Sequence, residues 1–393
     1  ELLKREKATR KRLKELNGSD VEIWAAASIA KAFDKQNIKY PRTEKGAPSF
    51  TKAFLSEHPS ELAKLIIEAR NLNKIQGTFI DSILKFVGRD GRIHGHINQL
   101  RSDDGGTVSG RLSMNNPNLQ QIPARDPELG PMIRRLFLPE EEEQWAALDF
   151  SQQEPRILTH YAHAFSEYKN MDLPGVKEFV DAYNEDPDMD FHSLVSLMTG
   201  LPRKESKICN LAMMYGMGVN KLSQQLDITL PEAKELIKQY HDRVPFVRGL
   251  MQGVQRSLDD KRSSGSIRSL GGRKCRFNLW EPDAYEMNKA LPYQEAVNEY
   301  GPTTRLRRAY TYKSLNRLIQ AAAADMTKQA MVDVYKAGTV PLLQVHDELA
   351  FSVKSVEQAR ELAEIMKNAI PLVVPNKVDI EIGPNWGDFE SAD

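Results

Sequence analysis

The 393-residue sequence predicts an α+β fold that is largely helical. Apolar residues between Leu62 and Leu72 recur at the spacing of an amphipathic helix, and an alanine-rich helix is predicted over 316–335. Two apolar runs, Leu342–Val345 and Leu349–Val353, flank a short polar break. That pattern predicts a β-hairpin and hence an antiparallel sheet.

The remaining elements follow in chain order. Residues 1–95 are charged and favour helix, whereas residues 96–150 combine short β-like pieces with a polar loop. Helical patterns return over 155–260, and a hairpin is predicted near Ser266–Phe277. A final amphipathic helix begins near Val356.

Composition excludes several classes of protein. Lys plus Arg and Asp plus Glu are 54 each, so a uniformly basic DNA-coating protein is excluded. Residues 201–320 nevertheless hold 21 basic against 12 acidic residues, which is compatible with binding a polyanion. Two cysteines exclude a disulfide framework and a four-cysteine zinc site. No apolar run approaches the ~18 residues of a membrane span, and without a signal peptide we expect a cytoplasmic or nucleoid location.

Two acidic residues lie at or just beyond the end of a predicted strand. The apolar strand that starts at Trp145 ends in Asp149, which places a carboxylate at a sheet edge where a metal could bind. Glu154 lies three residues after Ser151, so the two also fit a helix capping box. For each acidic residue alone, a structural role is a real alternative.

A second constellation lies on one predicted helix. Arg203, Lys207, Leu211 and Tyr215 are spaced by four residues and therefore share one face. Two cations near the positive end of a helix dipole suit a polyphosphate, and an aromatic ring further along could meet a base. The alternative is a solvated basic helix end with a buried tyrosine.

A third constellation is the polar triplet His346-Asp347-Glu348 at the turn of the predicted hairpin. Adjacent carboxylates repel each other, and a divalent cation relieves that repulsion.

A fourth is the loop that runs from Thr107 to Pro123, which holds possible donors at Arg111, Asn118, Gln120 and Gln121. Such donors can check base-pair geometry in the minor groove without reading the sequence. The alternative is an ordinary polar loop.

Taken in this order, the segments resemble the family-A DNA polymerases, the family of bacterial DNA polymerase I and short phage replicative enzymes. Asp149–Arg156 is similar to the first catalytic motif, Arg203–Gly216 to the fingers helix, and Gln344–Val353 to the second carboxylate motif. Thr107–Pro123 resembles the primer-gripping region, and Asn316–Asp325 resembles a helix with minor-groove contacts. The resemblance implies a right-hand polymerase fold with thumb (1–95), palm (96–190 and 316–393) and fingers (191–315).

The resemblance also implies roles for individual residues. Asp149 and Asp347 would hold two Mg²⁺ ions, and Glu348 would be a supporting carboxylate. The residues that would hold the incoming deoxynucleotide are Arg203, Lys207, His192, Glu154, Leu211, Tyr215 and Gly216. The residues that would hold primer–template DNA are Arg111, Asn118, Gln120, Gln121, Asn316, Gln320 and His346. Lys207 would give a proton to the leaving pyrophosphate, and Glu154 would exclude a ribose 2′-hydroxyl.

Three departures from the family pattern matter. Leu211 stands where Phe or Tyr is usual, so we expect altered discrimination against dideoxynucleotides. Pro155 follows the gate glutamate where Leu is common, which could displace the backbone of Glu154. The interval between His192 and Arg203 is short, as in phage members. A proofreading domain would precede the thumb, so we also expect no 3′–5′ exonuclease in these residues; a processivity partner is possible.

Two alternatives stay open at this point. A single-subunit RNA polymerase shares the hand-like fold, but Glu154 argues against it because RNA synthesis must admit the 2′-hydroxyl. A catalytically dead DNA-binding module is the alternative from another class. The retained pair Asp149 and Asp347 argues against that module, since it has no need for two costly carboxylates.

Overall fold

The computed structural model describes residues 2–43, 45–101, 105–123, 129–169, 171–260, 263–284 and 288–392. The chain forms two compact units. The first runs to His96 and adds Asn115–Arg134, and the second holds Ile97–Met114 and everything from Arg135 onward. None of the described helices combines the length and the apolar character needed to cross a membrane.

The first unit is helical. Ser60 caps the predicted helix by accepting a hydrogen bond from the amide of Ala63, and the face from Leu62 to Leu72 is buried as the periodicity indicated. A seven-residue π-helix, Ile75–Asp81, continues it. The α-helices of this unit are α1 (Leu2–Asn17), α2 (Ala26–Lys35), α3 (Lys52–Glu57), α4 (Glu61–Lys74), α5 (Ser82–Leu84) and α6 (Leu129–Arg134).

Two short strands, β1 (His96–Asn98) and β2 (Ser113–Asn115), lie where the chain passes from one unit to the other. The centre of the second unit is a five-stranded antiparallel sheet with the order β12-β11-β3-β10-β9. Its strands are β3 (Gln144–Phe150), β9 (Leu343–Val345), β10 (Glu348–Val353), β11 (Val378–Asn385) and β12 (Asp388–Ser391). The predicted hairpin is confirmed, with a two-residue turn at His346 and Asp347.

The two faces of this sheet differ. Leu148 of β3 pairs with Leu349 of β10, both are fully buried, and they belong to the main hydrophobic core. Residues paired directly across antiparallel strands share a face, so the next residues along present Asp149 and Glu348 on the opposite face. Farther along β3, Trp386 stacks on Trp145 and covers that second face, with ring centroids 5.8 Å apart.

Helices and the core face of the sheet together enclose the main hydrophobic core. The alanine-rich helix is confirmed as α15. Ala321 to Ala324 are all buried, because their small side chains let neighbouring elements pack closely. The α-helices of this unit are α7 (Gln153–Lys169), α8 (Val176–Glu185), α9 (Phe191–Thr199), α10 (Arg203–Met214), α11 (Val219–Leu226), α12 (Leu230–Arg243), α13 (Pro245–Asp259), α14 (Tyr293–Tyr300), α15 (Ser314–Lys336) and α16 (Val356–Lys367).

Two smaller sheets complete the second unit. The hairpin predicted near Ser266–Phe277 is confirmed as β4 (Ser266–Arg268) and β5 (Lys274–Arg276). The other sheet has three strands in the order β7-β6-β8. These are β6 (Leu279–Pro282), β7 (Leu291–Pro292) and β8 (Leu306–Arg308).

Candidate active site

Carboxylates gather at one end of the central sheet. Asp149 of β3 lies opposite Glu348 of β10 on one side and Asp379 of β11 on the other. Asp347 precedes Glu348 in the hairpin turn, and its carbonyl oxygen accepts a hydrogen bond from the amide of Phe150 at 3.4 Å. The fold thus brings together the two aspartates that are far apart in sequence.

The protein around these carboxylates shifts their titration. Burial, together with the negative charges of Asp347, Glu348 and Asp379, raises the pKa of Asp149 to about 8. Burial also raises the pKa of Asp347, while the charge of Arg111 lowers it. Asp149 is still exposed to solvent. A cation bound beside these carboxylates would relieve their mutual repulsion.

The donor set fits Mg²⁺. Within the described ranges, no three His, Cys, Asp or Glu side chains converge into a complete metal cluster. Magnesium in nucleotide enzymes is usually held by one or two carboxylates together with substrate phosphates and water. Asp149 and Asp347 supply that number of hard oxygen donors and carry the unfavourable repulsion that a cation would offset.

Glu348 is held in place by a tryptophan near the C-terminus. The indole Nε1 of Trp386 donates a hydrogen bond to Glu348 Oε1 at 3.2 Å. Trp386 is fully buried between Trp145 and Phe137. A rigid aromatic cluster therefore fixes this carboxylate beside Asp149.

Glu154 is fixed by two donors. Arg111 Nη2 donates to Glu154 Oε1 at 2.7 Å, and the Tyr215 hydroxyl donates to Oε2 at 2.5 Å. The predicted capping box is not formed, because the amide of Ser151 donates instead to the carbonyl of Lys377. Burial and the adjacent carboxylate raise the pKa of Tyr215, which keeps its hydroxyl protonated as a donor. We name Arg111, Glu154 and Tyr215 the gate cluster.

The predicted cationic face lies on α10. Arg203 begins the helix, and its Nε donates to Asp190 Oδ2 at 2.7 Å. Lys207, one turn later, is exposed, and Leu211, two turns later, is half-buried. Tyr215 caps the helix C-terminus.

Gly216 follows Tyr215 with a positive φ of 63°, and a β-carbon there would lie 3.2 Å from the carbonyl oxygen of Tyr312. The left-handed backbone conformation therefore favours glycine, and a β-carbon would also crowd the neighbouring carbonyl.

His192 lies beneath this face. The Asn210 amide contacts its Nδ1 at 2.8 Å, which fixes the orientation of the ring. Burial lowers the pKa of His192; the charge of Asp190 opposes this shift, and the charges of Lys207 and Arg203 add to it. The ring is therefore neutral near pH 7.

The predicted DNA-binding residues are distributed over both units. Asn316 and Gln320 are half-buried and one turn apart on α15, and His346 is exposed in the hairpin turn with a φ of 58°. In the first unit, Asn118 accepts a hydrogen bond from the amide of Gln120 at 3.1 Å and caps the short 3₁₀ helix Leu119–Gln121.

Sequence reasoning missed several residues that position the site. They are Asp190, Asn210, Asp379 and Trp386. Asp190 alone had a local signal, because it caps α9 by accepting a hydrogen bond from the amide of Ser193. The others act through long-range contacts that no local pattern announces.

The model of DNA polymerase family A matches residues 1–388, and the chain therefore belongs to this family. A DNA-directed DNA polymerase of Pseudomonas phage M6 is 35% identical over 93% of this chain and 57% of its own length. The DNA polymerase DpoZ of Acinetobacter phage SH-Ab 15497 is 30% identical over 97% of this chain and 63% of its own.

Cellular relatives are also similar. The thermostable DNA polymerase I of Thermus aquaticus is 32% identical over 88% of this chain and 39% of its own length. The polymerase domain of Pol1 from M. smegmatis, solved with DNA primer-template and dNTP, is similar with a TM-score of 0.74 and 28% identity. That match covers 98% of this chain and 65% of the other. The α+β polymerase fold is thereby confirmed, and the chain spans roughly 40–65% of the length of these relatives.

Proposed function

We propose that the chain is a template-directed DNA polymerase that adds deoxynucleotides to a primer 3′-hydroxyl and releases pyrophosphate. The observation that carries this proposal is the placement of Asp149 and Asp347 side by side at the open end of the sheet, in a member of family A. The similarity to a polymerase domain solved with DNA primer-template and dNTP supports the same substrates here.

Asp149 and Asp347 would hold two Mg²⁺ ions, with Glu348 as a supporting carboxylate. When bound, such ions lower the pKa of the attacking hydroxyl and stabilise charge on the attacking and leaving oxygens. The hydrogen bond from Trp386 would hold Glu348 near Asp149, so that its charge adds to the negative field that attracts the cations.

The incoming triphosphate would lie along α10. Arg203 and Lys207 would bind its phosphates at the positive end of the helix dipole, and neutral His192 would donate a further hydrogen bond. Exposed Lys207 would supply the proton to pyrophosphate as it leaves. Leu211 would lie against the sugar.

The remaining residues would set which substrates fit. Glu154, fixed by two donors, would occupy the space that a ribose 2′-hydroxyl needs. Tyr215 and Gly216 would contact the templating base. The minor-groove and primer contacts would come from Arg111, Asn118, Gln120, Gln121, Asn316, Gln320 and His346.

We also propose the division into thumb (1–95), palm (96–190 and 316–393) and fingers (191–315). The end of the first compact unit at His96 supports the first boundary. The match to the family model extends over residues 1–388, and within these residues we expect no 3′–5′ degradation of a mismatched primer. The proposal includes a processivity or replisome partner and action in the cytoplasm.

The experiment compares Asp149→Asn and Asp347→Asn with Asp181→Asn, which alters an exposed residue on α8. Primer extension with Mg²⁺ and DNA binding by fluorescence anisotropy are measured on the same preparations. We expect both site variants to lose extension by a factor of about a thousand or more while still binding DNA. Extension at the wild-type rate by either variant would refute the assignment.

A further inference from the structure

An arginine outside the predicted site connects three separate parts of the second unit. Arg273 ends the turn of the β4–β5 hairpin. Its Nη2 donates to Asp325 Oδ1 and to the carbonyl of Ala321, both at 2.9 Å, and its Nη1 donates to the carbonyl of Ser109 at 2.7 Å. One guanidinium group thus joins the hairpin, α15 and the loop before β2.

The partner carboxylate is well enclosed. The side chain of Asp325 is only 9% exposed, and its second oxygen accepts a hydrogen bond from the amide of Gly271 at 3.0 Å. A planar guanidinium with its five donors can satisfy several acceptors at once, whereas an ammonium group is a point charge. The geometry therefore requires arginine at position 273.

The loop is shaped to receive this group. Gly110 has a φ of +82°, and a β-carbon there would lie 1.7 Å from Arg273 Nη1. Ser109 is buried, and the Thr107 hydroxyl donates to the carbonyl of Arg111 at 2.8 Å. The loop is thus held on both sides of Gly110.

The next residue of that loop belongs to the gate cluster. Arg111 donates to Glu154, whose other oxygen accepts from Tyr215. A continuous series of hydrogen bonds therefore runs from Asp325 through Arg273 and the loop to Glu154. If the loop moves away from α15, Arg111 moves with it and Glu154 loses one of its two donors.

We propose that Arg273 is a positioning residue for discrimination between deoxyribose and ribose, acting through the loop on Arg111 and Glu154. This inference rests on the proposed polymerase function. Arg273 does not touch the nucleotide in this account; it sets the place of the residue that orients the gate.

The test measures kcat/KM for a dNTP and the matching rNTP opposite one template base. Arg273→Lys keeps a positive charge for Asp325 but cannot bridge the same acceptors. Arg268→Lys is the matched control, because Arg268 lies on the same hairpin, is exposed and donates to the carbonyl of Gly272. We expect the dNTP-to-rNTP ratio to fall about tenfold in Arg273→Lys, the loss of one charged hydrogen bond, and to stay unchanged in the control.

Two further variants separate positioning from a loss of folding. Gly110→Ala displaces the guanidinium without removing it, and we expect it to lower the same ratio. In a Glu154→Ala background, Arg273→Lys should change the ratio no further, since the residue it acts through is gone.

The inference is overturned if Arg273→Lys slows both nucleotides by one factor, if its effect persists without Glu154, or if the wild type uses both sugars equally. Failure of the wild type to extend a primer at all would instead refute the proposed function.

Discussion

The hydrogen bond from Tyr215 to Glu154 can be removed by deleting a single oxygen atom, the Tyr215 hydroxyl. The side chain of Glu154 is only 12% exposed, and each of its carboxylate oxygens accepts a hydrogen bond from one side-chain donor. Tyr215→Phe deletes the hydroxyl at 2.5 Å and leaves Oε2 without that donor. The ring and its packing are retained, so the perturbation falls on the orientation of Glu154.

The magnitude follows from the charge on the acceptor. A hydrogen bond to a charged group contributes about 1.5–3 kcal/mol. At about 1.4 kcal/mol for each factor of ten, its complete loss would change a rate ratio by about 10–150-fold. Arg111 still holds the other oxygen, so we expect the lower end, about a tenfold rise in relative use of ribonucleotides.

The assay is single-turnover incorporation of a dNTP and the matching rNTP opposite the same template base. Tyr335→Phe is the control, because Tyr335 is 67% exposed on α15 and lies outside the gate cluster. A folded Tyr215→Phe protein with an unchanged ratio would refute the reasoning that Glu154 excludes the 2′-hydroxyl through this orientation.

Three other predictions concern neighbouring residues. Leu211→Tyr should change the incorporation ratio of dideoxy- to deoxynucleotides, and an unaltered ratio would contradict the role given to position 211. Burial lowers the pKa of His192 below 6.5, so the unfolded chain takes up the proton first and folding stability is lost as pH falls below that value. His192→Gln should therefore lose less unfolding free energy than the wild type between about pH 7.5 and 5.5 in urea titrations. An equal loss in both proteins would contradict the lowered pKa of His192. Trp386→Phe keeps an aromatic ring but removes the donor to Glu348, and should slow nucleotide addition at unchanged DNA affinity; an unaffected rate would show that this contact is dispensable.

Local patterns predicted the elements that carry the site. The four-residue spacing from Arg203 to Tyr215 predicted one helical face. Helix α10 carries Arg203, Lys207 and Leu211, and Tyr215 follows as its C-cap residue. The two apolar runs around Asp347 predicted the hairpin, because each strand is continuous and the break between them is short. In both cases the information lies within about a dozen neighbouring residues.

Long-range register could not be predicted in this way. Asp379 faces Asp149 only because β11 pairs with β3 in one particular alignment, and a shift by one residue would turn it to the core face. Trp386 reaches Glu348 across 38 residues of sequence, and Arg273 reaches Ser109 across 164. Such contacts depend on the packed fold.

The three-stranded sheet of β6, β7 and β8 was also missed. Its strands are two to four residues long, too short for the alternation that marks a strand. Glu154 shows the opposite error: its spacing from Ser151 fits a capping box, but Arg111 and Tyr215 compete successfully for its oxygens.

The most direct test is extension of a recessed primer by one nucleotide in Mg²⁺, with deoxy- and ribonucleotides offered separately opposite each template base. The account predicts templated addition of deoxynucleotides and strong exclusion of ribonucleotides by the wild-type chain, with addition lost in Asp149→Asn. Equal use of both sugars would contradict the role of Glu154, and DNA binding without any extension would contradict the polymerase assignment itself.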